Sequence, residues 1–73
     1  MKVYNITVVV EKALDGSFLA TCPTLQGCYA DGETVEEALE LIAGVIKMHI
    51  EDRLTNGEPI SEEIYSAQLK IAV

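Results

Sequence analysis

The chain has no tryptophan and a single phenylalanine, so no large aromatic cluster organises its interior. The core has to come from Val, Ile, Leu and Ala, within a hydrophobic content of 49%. Its 73 residues allow one small domain, expected to span 1–73. A domain of that size buries only roughly 60% of the surface its unfolded chain exposes, so self-association would add to a thin core.

Positive charge is scarce as well. Five Lys and Arg stand against twelve Asp and Glu, a net charge of −7. Phosphate backbones are held by clustered Lys and Arg, which argues against direct nucleic-acid binding. An acidic chain suits a basic protein partner, whose encounter it accelerates, and it serves plain solubility equally well. No apolar run approaches the ~20 residues of a membrane-spanning helix. Met1 and Lys2 lead directly into an alternating segment rather than a signal peptide, and the expected location is the cytoplasm.

What is present starts with alternation. Residues 3–11 read V-Y-N-I-T-V-V-V-E and place Tyr4, Ile6, Val8 and Val10 on one face of a strand. Asp15-Gly16 is a hairpin signal. Residues 17–22 form a second strand, which Pro23 ends by removing a ladder donor. A short third strand is expected over 27–31.

Thr34 suits the N-cap of a helix, with Glu37 three residues on to complete a capping box. Glu36 and Glu37 complement the positive end of the helix dipole. The helix is expected to run to about Leu54, where Asn56-Gly57 offers a left-handed stop and Pro59 follows. Val35, Ala38, Leu39, Ile42, Val45, Ile46 and His49 form its apolar stripe. Leu41, Val45 and Met48 widen the arc beyond what one sheet face needs, and are candidates for an oligomer contact. Residues 65–73 alternate again and read as a last strand returning beside the first. The expected fold class is α+β, in the order β-β-β-α-β, an antiparallel sheet with one long helix packed on one face.

Chemistry-bearing residues do not gather. A structural zinc site needs four ligands, and Cys22 and Cys28, six apart, have one distant histidine for company. Their spacing also fails the C-x-x-C redox pattern. They read as small buried hydrophobes at the base of a hairpin, unpaired in a reducing compartment. His49 reads as a rim residue of the helix stripe, without a carboxylate or nucleophile placed beside it. The carboxylates lie mostly on the helix and in loops rather than on strand faces, as a metal nuclease would require. No phosphate loop and no nucleophile elbow occur. No catalytic residue, metal or cofactor is expected.

One stretch carries a more specific pattern. Cys22-Pro23-Thr24-Leu25-Gln26-Gly27-Cys28 is followed by Asp31-Gly32-Glu33-Thr34 and then Glu36-Glu37-Ala38. Residues 18–54 thereby resemble the HicB family of antitoxins, with Cys22, Pro23, Leu25, Gly27, Cys28 and Gly32 as the matching corner motif. The resemblance implies a partial ribonuclease-H-like fold without its catalytic carboxylates. It also implies a role, the binding and masking of a basic HicA-type toxin that cleaves messenger RNA, with Glu36, Glu37 and Glu40 as candidate contacts. Gln26 stands where the family commonly has proline, which leaves the loop less rigid. Many members also carry a C-terminal DNA-binding domain; the sequence ends on its last predicted strand, so none is expected and operator binding does not carry over. The alternative is a stand-alone oligomeric module of the same fold that binds a small ligand or another protein. A residual nuclease ranks last.

Overall fold

The computed structural model describes residues 2–73; Met1 lies outside the described residues. Three antiparallel strands are followed by one long helix, an α+β arrangement. Strand β1 is Val9–Lys12, β2 is Phe18–Thr21 and β3 is Tyr29–Gly32, in the spatial order β1-β2-β3. Helix α1, Val35–Thr55, lies across one face, chiefly over β3 and β2 and least over β1.

Register decides which residues meet the helix. Val10 pairs with Ala20, and Ala20 with Ala30, so three small or branched side chains form one row across the sheet. Ala20 at its centre is fully buried under Ala38 and Ile42. The small row lets the helix approach closely, and Ile6, Val8, Val10, Phe18, Val45 and Ile46 close the sides. The opposite face carries Val9, Thr21 and Tyr29 in one row and Glu11, Leu19 and Asp31 in the next.

Each turn has a local cause. Between β1 and β2 the Ala13 N–H donates to the Ser17 carbonyl at 2.8 Å and Gly16 adopts φ 90°. The Asp15 carboxylate accepts from the Ser17 N–H at 2.9 Å and from its hydroxyl at 2.6 Å. These bonds favour the ionised form and hold the Asp15 carboxyl below its usual range. At the far end of α1, the Gly57 N–H donates to the Leu54 carbonyl and the Glu58 N–H to the Arg53 carbonyl, with Gly57 at φ 70°. That is a Schellman stop, and it ends the helix one residue beyond the Leu54 expected from the sequence.

The strands differ in extent from expectation, β2 covering Phe18–Thr21 of the expected 17–22. The first pairs only over Val9–Lys12 rather than over 3–11. Its partner β2 is four residues long, so residues 3–8 run past the end of the ladder. The third is shifted slightly, to Tyr29–Gly32. Residues 65–73 form no strand and their side chains are exposed. Alternation prepares a segment for a sheet, but a strand exists only where another backbone accepts its hydrogen bonds.

Candidate functional site

The corner between β2 and β3 consists of two consecutive turns. The Leu25 N–H donates to the Cys22 carbonyl and the Cys28 N–H to the Leu25 carbonyl, each at 3.1 Å. Pro23 occupies the second position of the first turn, where its fixed φ is already correct. Gly27 occupies the third position of the second turn at φ 78°, as a type II turn requires. The Cys22 N–H donates to the Cys28 carbonyl at 3.1 Å and closes the loop. Leu25, at the junction of both turns, points inward and is 1% exposed. The loop is therefore plugged into the core by its own leucine.

Cys22 and Cys28 are buried beside that leucine as free thiols. Cys22 Sγ lies 3.6 Å from the Thr24 hydroxyl. Burial pushes the Cys28 thiol up, and the neighbouring Cys22 adds to the shift by charge and by hydrogen bonding. A thiol held protonated in this way is a poor nucleophile. Among the described residues, no three of His, Cys, Asp and Glu come together in a way that would hold a metal ion.

The helix begins immediately after the corner. Thr34 takes an extended N-cap conformation, and its hydroxyl accepts from the Glu37 N–H at 3.0 Å. Glu37 Oε1 in turn accepts from the Glu33 N–H at 3.0 Å, one residue further back than a standard capping box. Gly32 sits directly beneath this first turn and is buried. Sequence reading placed Gly32 in a motif without seeing what it touches; its closeness to the helix depends on packing and leaves no local signal.

The remaining candidates lie on the outward side of α1. Glu36 and Glu40 are exposed, whereas the Glu37 carboxylate is engaged in the cap. Leu41 and Met48, two turns apart, both face solvent, Met48 at 69% exposure. Val45 turns partly into the core. Met48, His49, Glu51, Asp52 and Thr55 line a shallow groove of about 520 Å³. On the other flank an apolar groove of about 700 Å³ opens between residues 2–6 and the helix, bordered by Tyr4, Ile6, Ile46, Ile50 and Leu54. Nothing in the sequence pointed to this groove, because it forms where two distant segments diverge.

These features define a small α+β domain with a packed corner, an outward helix side carrying acidic and apolar flanks, and two sheet edges, β1 and β3, each with β2 as its one ladder partner among the described residues. Residues 4–71 match the family model described as "HicB_like antitoxin of bacterial toxin-antitoxin system". The chain belongs to this HicB-like antitoxin family. It is 42% identical over 62 residues to the UPF0150 protein ssr1765 of Synechocystis sp., covering 85% of this chain and 78% of that one. It is 35% identical over 68 residues to the UPF0150 protein ssl0259 of the same organism, covering 92% and 93%. It is also 35% identical over 57 residues to the UPF0150 protein Ta0767 of Thermoplasma acidophilum, covering 78% and 83%. No solved structure matches the chain. No helix among the described residues is long and apolar enough to cross a membrane.

Proposed function

We propose that the chain is a non-enzymatic cytoplasmic antitoxin that binds a basic HicA-type toxin and blocks its access to messenger RNA. The observation that carries the reading is the outward face of α1. Glu36 and Glu40 present carboxylates there, and Leu41 and Met48 present apolar surface on the adjoining flank, since at ~100° per residue Met48 lies roughly 80° round the helix from Glu40. A basic protein is steered by the former and desolvated against the latter. Glu37 contributes charge, although its carboxylate is already an acceptor within the cap. In this reading the apolar Leu41, Val45 and Met48 belong either to the toxin contact or to contact with a second copy.

The test uses the full chain and a basic HicA-type toxin. Co-expression should relieve toxin-induced growth arrest. Glu36→Lys with Glu40→Lys should lower the association rate about tenfold or more at low salt, and less at high salt. Binding that ignores both the charge reversal and the salt concentration would sink this surface. Failure of co-expression to relieve arrest would sink the toxin-masking role.

A second reading rests on the groove beside Tyr4, Ile6 and Ile50, which suits a stand-alone oligomeric module that holds an apolar ligand or a peptide. Ile50→Glu separates the two readings. It would abolish ligand binding in the groove and leave toxin association through the outward face intact.

A further inference from the structure

The register of the sheet sets Cys22 and Cys28 opposite one another. Thr21 pairs with Tyr29, so the next rung outward matches Cys22 with Cys28. The Cys22 N–H donates to the Cys28 carbonyl at 3.1 Å and extends the ladder by that rung. Opposed Cα atoms on an antiparallel ladder stand about 4.5–5.5 Å apart, within the roughly 4.4–6.8 Å that a disulfide spans. Opposed residues also send their side chains to the same face. Here both turn inward, each 3% exposed, into one cluster with Leu25 and Ile42. The two sulfurs sense each other, since Cys22 adds to the effect of burial in holding the Cys28 proton.

The corner between them is already built. Its two turns are closed by their own backbone bonds, so a bond between the sulfurs asks for no new fold of the chain. Both thiols are free, and among the described residues no cluster of three ligand-type side chains includes them. The partner left to each sulfur is the other.

We propose that Cys22 and Cys28 form a redox modification site, which a low-molecular-weight disulfide such as oxidised glutathione converts into an intramolecular disulfide across the base of the corner. The conversion is two successive exchanges. A thiolate at Cys22 attacks one sulfur of the small disulfide, which gives a mixed disulfide and expels one small thiolate. The Cys28 sulfur, its proton released, then attacks the Cys22 sulfur and expels the second. Two protein thiols are oxidised, one small disulfide is reduced to two thiols, and the two protons end on those thiols. Cys22 goes first because the Thr24 hydroxyl, 3.6 Å from its sulfur, can donate to the negative charge. The second attack is intramolecular, and proximity offsets the tighter hold on the Cys28 proton. Burial makes the first step wait for local opening of the corner, so the site answers sustained oxidation rather than a brief pulse. The bond ties together the strand ends on either side of Leu25. This inference goes beyond the function proposed above and does not depend on it.

The experiment refolds the full chain in glutathione buffers of graded oxidised-to-reduced ratio, which removes the barrier of burial. Free thiols are then alkylated and intact mass is read. The expected product takes up no alkyl group and no glutathione, stays monomeric by mass, and grows with the oxidised share. Its melting temperature should exceed that of the reduced chain. Cys28→Ser should instead stop with one glutathione on Cys22. Two alkylatable thiols at every ratio, glutathione adducts in place of the ring, or disulfides only between chains each overturn the proposal. A ring that lowers the melting temperature overturns it too, because the native corner would then not accommodate the bond. If Cys28→Ser does not fold, the mass of the unsubstituted chain still decides.

Discussion

Gly32 and Ala38 are in direct backbone contact: a Cβ on Gly32 would sit 2.5 Å from the Ala38 nitrogen and 2.9 Å from its Cα. The Thr34 carbonyl would lie 3.0 Å away on the same side. All three atoms belong to the first helical turn, where the Ala38 N–H donates to the Thr34 carbonyl at 3.0 Å. The last residue of β3 is thus the surface on which the helix starts. Gly32→Ala should cost about 1–3 kcal/mol through overpacking, seen as a lower urea midpoint, and Gly32→Val more. An unchanged midpoint would show that the helix is not seated there.

Gln26 occupies the second position of the turn whose third position is Gly27. A type II turn favours proline at that place because the ring presets φ. Gln26→Pro should therefore stabilise the chain by about 0.4–1 kcal/mol, mainly by restricting the unfolded state. Gly27→Ala should act oppositely, at a cost of about 1–2 kcal/mol for a left-handed φ. Thermal melts of both variants check the pair; equal shifts of the same sign would refute the turn assignment.

The cap can be separated into its two bonds. Thr34→Ala removes the acceptor for the Glu37 N–H and should cost about 1 kcal/mol. Glu37→Gln keeps an acceptor for the Glu33 N–H but loses the charge facing the helix dipole, so its cost should be a few tenths of a kcal/mol. Helix content by circular dichroism and denaturant midpoints measure both. A larger loss for Glu37→Gln than for Thr34→Ala would reverse this ranking.

Leu25→Ala should be the most damaging of these changes. It deletes the side chain that ties the corner to Cys22, Cys28 and Ile42, and buried leucine deletions cost about 2–5 kcal/mol. For a domain whose total stability is of the order of 5–15 kcal/mol, that is a large share. Leu25→Met should retain most of the stability, since volume is conserved.

Cys28 carries a pH signature. Its thiol is raised above the ordinary value of about 9.0 by burial first and by Cys22 second. The folded state therefore holds the proton more tightly than the unfolded state. The associated stability is complete below the unfolded thiol's pKa and is lost as pH rises through the folded value. Thiol titration of the folded chain should label Cys28 far more slowly than after denaturation. Equal rates would mean that the corner is open to solvent.

Much of the architecture is local and so was legible. Asp15-Gly16, Thr34 with Glu37, and Asn56-Gly57 each act through bonds within a few residues, and they mark the hairpin, the helix start and the helix stop. Leu25 was visible only as one letter of a motif, because its burial depends on two turns aiming it beneath a helix more than ten residues away. The grooves on either flank of α1 were not legible for the same reason.

The sequence by itself determined the order β-β-β-α, the corner, the helix boundaries and the acidic balance. Tertiary structure decided the rest. It shortened β1 to the residues that β2 can reach, seated Gly32 against Ala38, committed Glu37 to the cap while leaving Glu36 and Glu40 outward, and left residues 65–73 without a partner. The physical reason is the same in each case. Alternation and capping are properties of one segment, whereas ladder bonds, close packing and burial need a second segment at the right distance.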